Sequence, residues 1–279
     1  MSKPDFVVIG AMKCATSTVC AYLEDHPDVF MPRNCEPRFF SDDGNWARGT
    51  EWYESLFRER REEAVCGEGS NDYTAHALHP HAAERMAAYG PELKLIYMVR
   101  HPVDRALSAW VQNRVDSGDA FPPTFREAIE EMPDRYVDQS LYWEQLSHYR
   151  THFPDTQILI GFMEDMKRDQ QGFFDALCRF LGVTPAVEAA RPHQNPSAGK
   201  RVPSPLYSRV QALPFIDMLK AAVPEGLRKR VRDRVLSTPS SEAMQIPPET
   251  RARVEAQVRD DARALLRHCG KPLDYWSLG

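Results

Sequence analysis

The 279-residue chain has no apolar run approaching the roughly 20 residues needed to cross a bilayer, and its first residues, Met1-Ser2-Lys3-Pro4-Asp5, lead straight into a strand pattern. No secretory leader and no membrane anchor are expected. The six cysteines, Cys14, Cys20, Cys35, Cys66, Cys178 and Cys269, include no C-x-x-C pair, so neither a disulfide framework nor a zinc site is indicated and a reducing, cytoplasmic setting is expected. Excess positive charge is also lacking: 40 acidic against 35 basic residues give −5, which argues against a surface built for nucleic acid or an anionic membrane. Lysine is scarce, eight in all, and arginine carries the remaining basic charge. No internal repeat, low-complexity tract or composition shift divides the chain, so residues 1–279 are read as a single domain.

Hydrophobic residues make up 42% and charged residues 27%, enough apolar surface for a packed core. Three short apolar runs read as buried strands: Phe6–Gly10, Leu93–Val99 and Gln157–Phe162. Helical spacing follows each, over Ser17–Glu24, from about Val103, and over Gln171–Leu181, and a last helix runs from Pro247-Pro248 to a cap at Gly270. Strands alternating with helices predict an α/β fold, a three-layer domain with a central parallel sheet flanked by helices. Residues 42–52, 116–139 and 192–205 lack clear period and read as loops or short helices, the places where ligands are recognised.

Two segments carry chemistry. Gly10-Ala11-Met12-Lys13-Cys14-Ala15-Thr16-Ser17-Thr18 joins a buried strand to a helix. A helix N-terminus with a lysine and hydroxyls beside it suits a phosphate, although an N-capped helix with an exposed lysine would look the same. The spacing G-x-x-x-x-G-K-[ST] of nucleotide hydrolases is absent. Arg100 stands at the carboxyl end of the second strand, where open parallel sheets bind ligands, and Ser108 follows about two helical turns later. Together they suit a second phosphate; a surface ion pair between Arg100 and Asp104 is the simpler alternative.

Taken in order, Val8–Ser17, His26-Pro27-Asp28-Val29, Glu36-Pro37-Arg38-Phe39-Phe40, Arg100–Arg105 with Ser108, Ser140 and Tyr142, and Phe180-Leu181-Gly182-Val183 resemble the sulfotransferases that use 3′-phosphoadenosine 5′-phosphosulfate (PAPS), in the branch shared by bacterial enzymes and heparan sulfate sulfotransferase domains. The resemblance spans residues 6 to about 276 and implies a P-loop-like fold. It implies that Lys13, Cys14, Ala15, Thr16, Ser17 and Thr18 hold the 5′-phosphosulfate, with Lys13 stabilising the leaving phosphate, and that Arg100 and Ser108 hold the 3′-phosphate. It also implies that Lys200 and Arg201 close over that phosphate as a basic loop does in relatives, with simple solvent exposure as the alternative. Glu36 matches the general base, and a carboxylate near Phe39-Phe40 would have a raised pKa.

Arg38, Phe40, Trp46, Ser70, Tyr73 and Tyr142 are the implied acceptor contacts. The chain departs from the family where Arg38 replaces a histidine, where Cys14 and Ala15 replace glycines, and where Gly67-Glu68-Gly69-Ser70-Asn71-Asp72-Tyr73 lacks a lysine. Cys14, close to a helix N-terminus, is read either as packing or as a thiol of lowered pKa. The His76, His79 and His81 cluster is interrupted by Pro80, and no metal is expected. The basic run Arg228-Lys229-Arg230, with Arg232 and Arg234, reads as a solvated helix face. The implied acceptor is a small molecule, a specialised metabolite or glycan, bearing a hydroxyl or less readily an amine, with no nucleic-acid or membrane partner. The alternatives are a nucleotide-dependent small-molecule kinase and a non-catalytic nucleotide-binding protein.

Overall fold

The computed structural model describes residues 3–32, 36–117, 120–185 and 245–278, with the backbone alone of 201–203 and 237–239. Its centre is a five-stranded sheet in the order β2-β3-β1-β4-β5, formed by β1 (Phe6–Gly10), β2 (Val29–Phe30), β3 (Val65–Gly69), β4 (Lys94–Val99) and β5 (Ile158–Phe162). Every pairing is parallel, so all five strands end at the same edge. The α/β expectation, with a central parallel sheet and flanking helices, is met.

Alternation along β4 assigns the two faces. Tyr97 meets Tyr142 of α8 (Tyr142–Arg150) on one side, ring centroids 6.1 Å apart. Met98 lies beside Gly161 of β5 and Phe173 of α10 (Gln170–Leu181) on the other. There α1 (Thr16–Glu24) stacks Tyr22 on Phe174 at 3.9 Å. On the α8 face the C-terminal helix, α11 (Pro248–His268), lends Asp261, whose carboxylate accepts from the Trp143 and Glu144 amides at 3.0 and 2.8 Å. It thereby caps a helix that has no side-chain cap of its own.

The three strands, the three helices that follow them and the terminal helix are found where the periodicity places them, within a residue or two. Residues 42–52 fold into α2 (Asp43–Trp46) and the start of α3 (Gly49–Ser55), and α4 (Ala82–Tyr89) precedes β4. Helix α5 (Pro102–Ser117) packs with α6 (Phe125–Glu131), α7 (Pro133–Tyr136) and α11 in a second apolar cluster around Trp110, Phe125 and Val258. Helix α9 (Met163–Arg168) directly follows β5.

Two strands escape the sequence pattern. β2 has two residues, and β3 reads Val-Cys-Gly-Glu-Gly, with no apolar run. Gly67 is required there because a Cβ would lie 2.5 Å from the Phe6 ring and from the Phe6 carbonyl oxygen. The expected loop at 192–205 is corrected at its end: Arg201–Pro203, β6, pairs antiparallel with Ser237–Pro239, β7. Lys200 and the basic run at 228–234 lie outside the described residues, and Arg201 is described in its backbone alone.

Candidate active site

The site lies at the carboxyl edge of the sheet, where the segments after β1, β3 and β4 emerge side by side. After β1 the chain turns sharply, with Lys13 at φ 72° and Ala15 at φ 67°. Left-handed residues in such a turn direct successive amides into one concavity, the form of an anion nest. Helix α1 starts from Ala15 without a side-chain cap, its Thr18 amide bonding back to the Ala15 carbonyl at 3.0 Å, so no side chain covers the helix start beside this concavity. Thr16 is buried, Thr18 half-buried and Ser17 exposed. Lys13 Nζ donates to Gln112 Oε1 on α5 at 3.2 Å, and Gln112 in turn donates to Asp116 at 2.7 Å.

Arg100 closes the other side, with Nη1 donating to the Lys13 carbonyl at 3.2 Å. The alternative partner, Asp104, instead pairs with Arg251 of α11 at 2.8 Å. Ser108 is half-buried on α5, one turn before Gln112. Beneath this helix Arg105 is fully buried and reaches Ser140 Oγ at 2.7 Å, Gln139 Oε1 at 3.3 Å and the carbonyls of Arg135 and Tyr136. A buried guanidinium satisfied by neutral oxygens stiffens the start of α5.

Cys14 points down into the protein. Its thiol lies 3.6 Å from the Tyr142 hydroxyl, and burial raises its pKa to about 11. The lowered pKa offered by the sequence reading is therefore reversed: the helix N-terminus is outweighed by desolvation, and packing accounts for the residue.

The expected acceptor side consists of Glu36–Phe40, which meets the turn after β3. Glu36 Oε1 accepts from Asn71 Nδ2 at 2.6 Å, and Oε2 lies 3.6 Å from Arg38 Nη2. Its side chain is 43% exposed. Loss of water holds its pKa above the usual carboxylate value, Arg38 opposing and Asp72 adding to the shift. Arg38 also lies 3.5 Å from Asp72 Oδ2, and its backbone is left-handed at φ 47°.

Phe39 and Phe40, drawn on to explain that shift, turn inward: both are fully buried, against Tyr53, Tyr89 and Trp46. Ser70, Tyr73 and Tyr142 are buried as well, and Trp46 is half-buried over Phe39. Of the six acceptor contacts implied by the resemblance, Arg38 presents its side chain openly to solvent; Phe40, Ser70 and Tyr73 are buried, Trp46 packs over Phe39, and Tyr142 lies apart, beside Cys14 and Tyr97.

Glu68 is fully buried on β3, sharing oxygens with Tyr53, Tyr73 and Ser70. The three histidines separate: His76 stacks on His148 at 3.4 Å, His79 lies 3.7 Å from Asp72, and His81 lies 4.0 Å from Glu84.

The turns after β1 and β3 touch. A Cβ on Gly10 would stand 2.4 Å from Thr74 Oγ1 and 3.1 Å from the Asn71 carbonyl, and Gly10 has φ 135°. Glycine alone allows this approach. Sequence reasoning missed Asn71 and Asp72 as individual contacts, although they lie in a segment it singled out. It also missed Gln112, which an i,i+4 step from Ser108 would have found.

A family profile described as "Sulfotransferase domain" matches residues 3–198. Human heparan sulfate glucosamine 3-O-sulfotransferase 3B1 is 29% identical over 188 residues, 64% of this chain and 46% of that protein. Human bifunctional heparan sulfate N-deacetylase/N-sulfotransferase 2 is 26% identical over 209 residues, 67% of this chain and 23% of that protein. The chain thus spans less than half the length of these curated relatives. Among solved structures, a sulfotransferase from Alicyclobacillus acidocaldarius superposes with a TM-score of 0.71 over 99% of both chains at 24% identity. Mouse sulfotransferase SULT7A1, complexed with PAP, gives 0.54 at 15% identity, covering 96% of this chain and 88% of that one. At these identities the two structures speak to the fold.

Proposed function

Because the chain belongs to the sulfotransferase domain family, we propose that it transfers a sulfuryl group from PAPS to a hydroxyl of a small-molecule acceptor, a glycan or specialised metabolite. The observation that carries this reading is the meeting of Lys13 and Arg100 beyond the ends of adjacent strands, the Arg100 guanidinium donating to the main-chain carbonyl of Lys13 beside a helix start with no side-chain cap. Such a site suits a nucleotide with phosphates at both ends of its ribose. The buried orientation of Cys14 leaves the nest to backbone amides, Lys13 and the Ser17 and Thr18 hydroxyls.

In this assignment the donor supplies an activated sulfur with a phosphate leaving group. Lys13 donates to the oxygen on which negative charge gathers as the S–O bond breaks, and Arg100 with Ser108 anchors the far phosphate. Glu36 accepts the acceptor's proton while the acceptor oxygen bonds to sulfur, so the products are a sulfate ester and adenosine 3′,5′-bisphosphate (PAP). Asn71 and Arg38 hold the Glu36 carboxylate for that step. Arg38 is the side chain that meets the acceptor, its positive charge favouring an acceptor with an electronegative or anionic group beside the hydroxyl.

The described cysteines are all free thiols, which supports placing the reaction in a reducing compartment such as the cytoplasm. Among the described residues no helix is long and apolar enough to cross a membrane. Calorimetry with PAP against ADP plus magnesium tests the donor, PAP being expected to bind more tightly; tighter ADP binding would point to the kinase alternative. Glu36→Gln is expected to keep PAP affinity and to lose turnover of labelled PAPS with desulfated heparan oligosaccharides and 4-nitrophenol as probe acceptors.

A further inference from the structure

We propose that Glu68, with Ser70 as its intermediary, is the positioning residue that sets the Glu36 carboxylate in place from inside the protein. This rests on the reading of Glu36 as general base. Glu68 has no exposed surface. Its Oε2 accepts from Ser70 Oγ at 3.0 Å, and Ser70 Oγ in turn accepts the main-chain N–H of Arg38 at 3.0 Å. A buried carboxyl on β3 thus reaches the backbone two residues beyond Glu36 through a single hydroxyl.

The target of this strut explains its need. Arg38 is left-handed at φ 47°, a conformation that costs a non-glycine residue about 1 kcal/mol or more and persists only where its surroundings fix it. The carbonyl side of Arg38 is held by Asp42 N at 2.9 Å and Ser41 N at 3.3 Å, and the amide side by Ser70. The same turn carries Asn71, which holds Glu36 Oε1, and Asp72, which faces the Arg38 guanidinium.

The Glu68 carboxyl is itself clamped at its other oxygen by the hydroxyls of Tyr73 at 2.7 Å and Tyr53 at 3.1 Å, so it has one orientation in which to present Oε2. Burying a carboxyl among three hydroxyls is costly for a structural purpose that an apolar side chain would serve. Burial raises its pKa to about 8, the three hydroxyls that donate to it opposing the rise.

The test follows two signals that do not need an acceptor: amide exchange of Arg38, and the 13C titration of the Glu36 carboxyl, which Arg38 and Asp72 face. Glu68→Ala and Ser70→Ala are expected to speed Arg38 exchange about tenfold, the factor for one lost hydrogen bond, and to shift the Glu36 titration, with PAP affinity within about twofold of the parent protein. Glu68→Gln, with an oxygen and the same shape, is expected to keep both signals near those of the parent. Should Glu68→Ala not fold, Ser70→Ala carries the test. Unchanged Arg38 exchange and Glu36 titration in the alanine variants would overturn the proposal, as would a parallel collapse of PAP binding, which marks a general structural role. Failure of the base assignment has a different signature: Glu36→Gln would retain turnover while the Arg38 amide still responds to Ser70→Ala.

Discussion

The Arg100 guanidinium donates to the carbonyl of Lys13 at 3.2 Å, so the residue at the end of β4 braces the turn that follows β1. A side chain assigned to one phosphate therefore also shapes the cradle for the other. Arg100→Ala is expected to lower PAP affinity about hundredfold, from one lost charge-assisted contact and one lost brace. Arg100→Lys keeps the charge without the fork and is expected to fall between the two. Calorimetry measures both, and affinities equal to that of the parent protein would remove Arg100 from the site.

If Glu36 is the base as proposed, turnover depends on its ionised form, and burial raises its pKa. Rate should therefore fall as pH drops through a midpoint above the ordinary glutamate value. Arg38 opposes that rise, so Arg38→Ala is expected to move the acid limb to higher pH. The pH dependence of labelled sulfate transfer checks this, and a limb that stays in place separates Arg38 from the titration.

Glu68 makes stability fall with alkalinity. Its folded pKa of about 8 exceeds the ordinary 4.5, so the fold binds this proton more tightly than the unfolded chain does. The contribution is complete below about pH 4.5 and is lost as pH rises through about 8. Denaturant titrations at pH 6 and pH 9 should show a drop of a few kcal/mol that Glu68→Gln largely abolishes. An equal drop in both proteins would assign it to another group.

Asp261 caps α8 from α11 by accepting two amides. Asp261→Ala is expected to destabilise the protein by about 1–2 kcal/mol in chemical denaturation, the range for a lost helix cap, with PAP affinity preserved. No change in stability would show that water replaces the carboxylate at little cost.

The strands legible in the sequence are the ones that carry a continuous apolar run. β1 and β4 announce themselves because the middle of a parallel sheet is covered on both faces, and β5, at the edge, keeps an apolar run where α10 packs on it. β3 sits between β2 and β1 and is buried over its three central residues, but close packing on Phe6 demands glycine at 67 and a carboxyl stands at 68, so it carries no apolar run. Site residues divide likewise. Lys13, Arg100 and Glu36 were visible as ordered motifs, and the structure places them along one sheet edge. Phe40, Tyr73 and Tyr142 lie in equally recognisable motifs, but an aromatic's spacing does not tell which way its ring turns, and burial directs these three inward. The fate of Cys14 was open for the same reason: helix dipole and desolvation push a thiol in opposite directions, and only the packing around Tyr142 decides between them.

The order β3-β1-β4 gives the protein a ruler. Adjacent strands are held about 4.8 Å apart by main-chain hydrogen bonds. The turn that holds Glu36, the turn that carries Lys13 and the strand end that bears Arg100 are thus successive marks on one scale. Side chains can be exchanged at the rim without altering that scale, because its divisions are set by the backbone. New acceptor surfaces can accordingly be fitted to the outer loops while the interval between the three marks is kept.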